Sequence, residues 1–230
     1  MRKNVLRTVV VLISAAITVY AAHRIYQEHS EYREGADSYS VLEAYIKEPQ
    51  TEPMPEESKP EQDEMSENAI AWPVVDFAAL ESINSDCVAW IRIHGTEIDY
   101  PVVQGNDNSF YLKHLFGGEW NGAGCIFLDL RVEPDLSDRH SVLYGHHMKN
   151  GTMFSDITNY KDQTYYESHA TGMILTPTEN YRIEFFAGYV TGANDETAWK
   201  VTFATEDEYV DWLNETVGRS WFNSEVKTEL

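Results

Sequence analysis

The chain has 230 residues and a formal net charge of −21, a length that suits one domain with appendages. This acidic balance argues against a nucleic acid partner, because phosphate binding needs clustered lysine and arginine. The only two cysteines, Cys87 and Cys125, are too few for a disulfide framework, and nothing in their spacing favours a single disulfide.

Residues 1–22 have the pattern of a membrane signal. Arg2, Lys3 and Arg7 form a basic start, and Thr8–Ala22 follows without a charge. Fifteen uncharged residues are short for a span, but Val5 and Leu6 extend the segment if Arg7 snorkels to the headgroups. The basic start predicts a single-pass anchor with the N-terminus inside and the remainder outside. A cleaved signal peptide is the alternative, because small residues stand where a signal peptidase cuts.

Residues 23–69 are predicted to hold the folded part away from the membrane. Apolar residues recur at loosely helical spacing in 23–48, which favours a stalk helix. Pro49–Asn68 contains four prolines, seven acidic residues and one lysine. Such a segment cannot bury enough apolar surface to offset its conformational entropy, so it is predicted to be a linker.

Residues 70–230 are predicted to form one mostly β domain, a closed or nearly closed barrel with short decorating helices. Apolar residues at i, i+3 and i+6 predict a first helix over Asp76–Ile83. Runs with strand character follow at Val88–Ile93, Ile98–Val103, Cys125–Leu128, Ser141–Tyr144, Met173–Thr176 and Tyr181–Val190. Further helices are predicted at Ser109–His114, Met153–Ile157 and Thr205–Val217.

His146 is the strongest candidate for a catalytic residue, by its position and by its chemistry. It follows Gly145 where a strand should end, and catalytic groups on β scaffolds usually lie at such rims. His147 comes next, so on an extended backbone it points the other way, and only one of the two can face a given cleft. A histidine is the natural proton shuttle or thiol activator near neutral pH. The alternative is a pair of surface histidines without chemistry.

Metal binding and a nucleophilic cysteine are weaker hypotheses. The histidines and cysteines form no His-Glu-x-x-His or Cys-x-x-Cys pattern, so no metal or other cofactor is expected. Cys87 and Cys125 are each expected to be small core residues. A Cys125–His146 pair could in principle form a hydrolase, but the sequence does not bring the two together.

Five segments, in order, resemble the class B sortases, the cysteine transpeptidases that attach proteins to Gram-positive cell walls. The most specific runs Tyr-Gly-His-x-Met-Lys-Asn-Gly-Thr-Met-Phe. The resemblance covers residue 76 to the C-terminus, through Trp90–Gly105, Asp107–His114, Gly124–Asp129, Tyr144–Phe154 and Leu175–Pro177.

The resemblance implies an eight-stranded β-barrel and a thiolate that attacks the Thr–Gly or Thr–Asn bond of a sorting signal. His146 would be the catalytic histidine, while Asn108 and Leu112 would line the substrate groove. The implied partners are surface proteins that bear the signal, a peptidoglycan precursor amine, and the membrane through the N-terminal helix. The catalytic domain would be extracellular on the cell membrane.

The family's cysteine lies in a Thr-Leu-x-Thr-Cys strand, and its arginine lies in the next strand. Neither the Thr-Leu-x-Thr-Cys strand nor the arginine strand that follows it is found before Leu230. Arg219 belongs to the segment before the cysteine strand, and Cys125 stands at a variable position, so neither inherits a catalytic role. Two strands are therefore expected beyond Leu230, and the chain as given is expected to be inactive. The alternatives are a non-catalytic extracellular module that binds peptides and, more weakly, the Cys125–His146 hydrolase.

Overall fold

The structure is a computed structural model that describes residues 2–49 and 71–226. All of the predicted linker except Pro49 lies outside these described residues. A single helix, α1, spans Arg2–Leu42 and joins the predicted anchor and most of the predicted stalk. Its apolar N-terminal part is long and apolar enough to cross a membrane, with a mean hydropathy of 2.0 over the best window and no burial. A signal sequence would meet the same criteria.

The C-terminal end of α1 packs on the domain. Tyr39 and Leu42 are buried there, and the Tyr39 ring meets Tyr100 edge to face at 5.2 Å between centroids. The Tyr39 hydroxyl donates to the Gly124 carbonyl at 2.5 Å and approaches Cys125 Sγ at 3.1 Å. Burial raises the pKa of Tyr39 well above its usual range. Its hydroxyl therefore stays protonated and joins the stalk to the domain.

Two short strands and a capped helix lead from the stalk into the core. Strand β1 (Ile46–Lys47) pairs antiparallel with β2 (Val74–Val75). Helix α2 covers Phe77–Ile83, as predicted, and begins where the Asp76 carboxylate accepts a hydrogen bond from the Ala79 N–H at 3.1 Å. Its Leu80 is fully buried.

The domain is built on one curled, half-barrel sheet of six strands. All six predicted strands are present within the described residues, with shifted bounds. In chain order they are β3 (Cys87–Arg92), β4 (Asp99–Val103), β5 (Ile126–Leu128), β6 (Leu143–Tyr144), β7 (Thr171–Leu175) and β8 (Asn180–Glu184). Their spatial order is β6-β5-β4-β3-β7-β8. The β4–β5 pair is parallel and the others are antiparallel.

Short helices decorate the sheet. One predicted helix is α4 (Glu206–Gly218), whose start is capped by Thr205. The prediction at Ser109–His114 corresponds to a 3₁₀ turn at Phe110–Leu112. Helix α3 (Gln163–Ser168) was not predicted.

The helix predicted to begin at Met153 begins later, at Ser155, as a 3₁₀ helix that runs to Lys161. Met153 has φ of 58°, which a helix does not allow. Its N–H is instead donated to the Tyr100 hydroxyl at 3.1 Å, and the residue forms a bridge with His147.

A buried carboxylate links the strand that carries the histidine motif to the rest of the sheet. Asp129 follows β5 and its side chain is fully buried. It accepts hydrogen bonds from the Tyr144 hydroxyl at 2.7 Å and from the Arg131 guanidinium at 2.9 and 2.7 Å. Burial alone would raise the pKa of Asp129, but these donors hold it well below its usual range. Burial raises the pKa of Tyr144 to about 12, so its hydroxyl remains a donor.

Removal of the Tyr39 hydroxyl should weaken the docking of the stalk. We expect Tyr39→Phe to lower the free energy of unfolding by about 0.5–1.5 kcal/mol, the usual net value of a hydrogen bond. Urea unfolding of the full chain in detergent measures this change. Tyr32→Phe is the matched control, because among the described residues the Tyr32 hydroxyl bonds only to Glu28, one turn away on α1. Equal destabilisation by the two variants would contradict the docking role.

Replacement of the buried carboxylate should change how stability depends on pH. We expect Asp129→Asn to cost about 1.5–3 kcal/mol at neutral pH, because its hydrogen bonds are charge-assisted. Since the pKa of Asp129 is lowered by folding, its contribution is present above the unfolded pKa of about 3.9 and is lost as the pH falls. Unfolding measured from neutral to acid pH should therefore show the variant and the wild type converging. The exposed Asp211→Asn is the control, and a constant difference across this range would contradict the assignment.

Candidate functional site

The histidine motif leaves the sheet where a strand ends. Strand β6 pairs with β5 through Phe127–Tyr144 and Leu128–Leu143, and Gly145 follows it directly. A Cβ on Gly145 would collide with the side chains of Ile126 and Phe154. The main chain at this point is therefore pressed against the core, and the next residue starts from a packed position.

His146 and His147 lie just beyond the end of β6 at Tyr144, and their rings contact different parts of the chain. The His146 ring is half-buried, and its Nε2 lies 2.7 Å from the main-chain carbonyl oxygen of Leu112. The His147 ring is exposed, and its Nε2 lies 3.2 Å from the Thr158 hydroxyl. The structure therefore brings two of the three predicted site residues, His146 and Leu112, into direct contact.

Asn108, the third predicted site residue, belongs to the loop that leads into the same 3₁₀ turn. Its side-chain oxygen accepts a hydrogen bond from the Leu130 N–H at 2.9 Å. The Asn108 side chain also helps to lower the pKa of Asp129. Asn108 therefore connects this loop to the one that follows β5.

Neither cysteine is suited to be a nucleophile. Both are free and buried, and burial raises the pKa of each thiol to about 12. A thiol with so high a pKa is almost wholly protonated near neutral pH and reacts poorly. Cys87 and Cys125 are therefore core residues, and the structure argues against the Cys125–His146 hydrolase.

The other residues considered from sequence are engaged elsewhere. Arg219 pairs with Asp195 and Glu215 and stacks over the Tyr189 ring at 4.5 Å, so it joins the end of α4 to the loop after β8. His114 stacks on Phe110 at 3.9 Å between ring centroids. Within residues 2–49 and 71–226, no group of three His, Cys, Asp or Glu side chains could hold a metal ion.

Sequence reasoning did not single out the residues that support the histidine. Asp129 and Tyr144 belong to segments that carry the family resemblance, but no pattern indicates that their side chains meet. Gly124 belongs to one of these segments as well. The run Gly122-Ala123-Gly124 indicates a turn, and Gly124 has the positive φ, 60°, that such a turn can require. Only the structure shows that the main chain of Tyr111 and Leu112 lies against it.

Comparison with known proteins agrees with this geometry, although no family model matches the chain. The sortase B of Listeria monocytogenes is 36% identical over 148 residues. That match covers 64% of this chain and 60% of the relative, so this chain spans less than two thirds of that relative's length.

Solved structures of sortase B are also similar to this chain. The Staphylococcus aureus structure is 36% identical, has a TM-score of 0.64, and covers 66% of this chain and 72% of its own. The B. anthracis structure is 29% identical and has a TM-score of 0.70. Its match covers 87% of this chain and 86% of the B. anthracis chain. Fold, motif order and identity agree, and the chain belongs to the class B sortase family.

Proposed function

We propose that this chain carries the histidine part of a sortase-type cysteine transpeptidase. Such an enzyme would cleave a sorting signal at a Thr–Gly or Thr–Asn bond and join the surface protein to a peptidoglycan amine. The observation that carries the proposal is the His146 ring, which is half-buried at the end of β6 and bonded to the Leu112 carbonyl. A ring held in this way can serve a substrate bound along the same segment.

The proposed role of His146 is that of general acid. A cysteine thiolate attacks the scissile carbonyl, and the imidazolium gives its proton to the leaving amine. Because burial raises the thiol pKa of Cys87 and Cys125 to about 12, neither is assigned the attack. The proposal gives this step to a cysteine, with an arginine for the oxyanion, on strands like those that the family carries near its C-terminus.

Relatives suggest the substrate classes. Solved structures of Staphylococcus aureus sortase B include a complex with a substrate and a complex with triglycine. We propose that this protein likewise takes a sorting-signal peptide and an amine acceptor, with Asn108 and Leu112 along the peptide groove. The side-chain oxygen of Asn108 already accepts a hydrogen bond from the Leu130 N–H, so its proposed contribution is the shape of the groove.

The proposed location is the outer face of the cell membrane. Residues 1–22 would be the anchor, 23–69 the stalk and linker, and 70–230 the sortase-like domain. The support is the exposed apolar part of α1 together with its docked C-terminal end. This arrangement would present the domain to surface proteins near the membrane.

A non-catalytic peptide-binding module remains the second candidate. The observation in its favour is that both cysteines of the chain are buried with raised thiol pKa values. In this second proposal the domain binds a peptide without cleaving it. Peptide binding without turnover by the protein encoded by the full reading frame would favour this candidate.

The two adjacent histidines should differ sharply in function. The test uses this chain extended at its C-terminus by the corresponding segment of Staphylococcus aureus sortase B. In this extended chain, His146→Ala should lower cleavage of a sorting peptide roughly 10²–10⁴-fold, the usual contribution of general acid–base catalysis. His147→Ala should retain most of the activity, because its ring is exposed and bonds to Thr158.

Release of the leaving fragment, with and without added triglycine, measures this difference. His147→Ala is the matched control for changes in folding and expression. Equal losses in both variants would refute the assignment of His146. Activity that depends on Cys125 would instead revive the hydrolase.

A further inference from the structure

The hydrogen bond at His146 has a direction that chemistry dictates. A carbonyl oxygen can only accept, so the Nε2 atom that lies 2.7 Å from the Leu112 oxygen must carry the proton. In the neutral ring the other nitrogen, Nδ1, is then without a proton. The Leu112 carbonyl thus decides which ring nitrogen is available for proton exchange.

The position of that carbonyl depends on Gly124. The main chain of Tyr111 and Leu112 passes directly over this glycine. A Cβ there would lie 2.9 Å from the Leu112 oxygen and closer still to the Tyr111 oxygen. The backbone φ of 60° at Gly124 also disfavours any side chain.

Three further hydrogen bonds hold Gly124 and its neighbours in place. The Cys125 N–H donates to the Tyr111 carbonyl at 2.9 Å. The Tyr39 hydroxyl donates to the Gly124 carbonyl at 2.5 Å, and the Ala123 N–H donates to the Asn121 side-chain oxygen at 2.9 Å. The turn at Gly124 is therefore a fixed platform beneath the 3₁₀ turn that ends at Leu112.

We infer that Gly124 is a positioning residue, which seats the Leu112 carbonyl so that it holds the proton of His146 on Nε2 and leaves Nδ1 as the catalytic nitrogen. This inference rests on the proposed function, because it names the atom of His146 that would perform its chemistry. In this inference Gly124 acts through Leu112, whose main chain lies against it.

The proton balance of the reaction follows from this assignment. In the imidazolium form both ring nitrogens carry a proton, and the Nε2 proton stays on Nε2 throughout, hydrogen-bonded to the Leu112 carbonyl oxygen. The Nδ1 proton passes to the leaving amine as the thioester forms and the peptide bond breaks. Nδ1 then takes a proton from the incoming amine as that amine displaces the thiolate, which restores the starting state.

The test is nuclear magnetic resonance of the His146 ring in the full chain, which needs neither substrate nor nucleophile. Spectra that correlate ring protons with ring nitrogens are recorded at about pH 9, where imidazole rings are neutral. We expect wild-type His146 to show a protonated Nε2, a bare Nδ1 and an Nε2–H that exchanges slowly with water. In Gly124→Ala we expect the slow exchange to be lost and Nδ1–H to become populated.

Gly118→Ala is the matched control. Gly118 also has a positive φ, 92°, but a Cβ there would meet nothing within 4 Å. The Gly118→Ala substitution therefore strains the backbone without displacing Leu112, and the His146 signals should be unchanged. Loss of the signature in both variants would overturn the role of Gly124.

The wild-type spectrum keeps the inference falsifiable even if Gly124→Ala does not fold. A proton on Nδ1, or rapid exchange of the Nε2 proton, in the wild type would overturn it. These outcomes are separate from those of the proposed function. A protein with the expected His146 signature that never cleaves a sorting peptide would refute the function and leave the inference standing.

Discussion

The close approach of two main-chain segments, at Leu112 and Gly124, is the constraint on which the site depends. On one side of this crossing the Leu112 carbonyl receives the His146 ring. On the other side the Gly124 carbonyl receives the Tyr39 hydroxyl of the stalk helix. One glycine without a side chain therefore lies between the helix that would leave the membrane and the histidine that would perform the chemistry.

Strand β6, which leads to His146, is held by a buried carboxylate. Asp129 is wholly buried, and a buried carboxylate is costly unless it is paired and hydrogen-bonded. Here Arg131 and Tyr144 supply the side-chain donors, and Asn108 helps to lower the pKa of the carboxyl group. Because Tyr144 lies two residues before His146, this network and the crossing at Gly124 together restrict where the imidazole can lie.

Much of the fold could be predicted from the sequence, because strand periodicity and turn residues are local signals. The six strands of the main sheet, α2 and α4 are predicted with shifted bounds. The rings of His146 and His147 have different partners, which agrees with the expectation that only one of them faces a given cleft. Family resemblance supplied the roles of His146, Asn108 and Leu112, which stay predictions.

The rest depends on contacts between residues far apart in the chain. Tyr39 meets Gly124 across 85 positions, and Asp129 meets Tyr144 across 15. No local pattern records such meetings. Met153 was assigned to a helix because its neighbours favour one, but its bond to Tyr100 holds it in a left-handed conformation. Tertiary contacts overrode local propensity there, as they often do.

The central claim is that Asn108, Leu112 and His146 lie along one surface that binds a sorting-signal peptide. The most direct measurement is the change in the backbone amide signals of the isotope-labelled full chain during titration with a peptide that contains a Thr–Asn bond. We expect saturable changes centred on these three residues and none with a peptide of scrambled sequence. Unchanged signals at all three residues throughout the titration would contradict it.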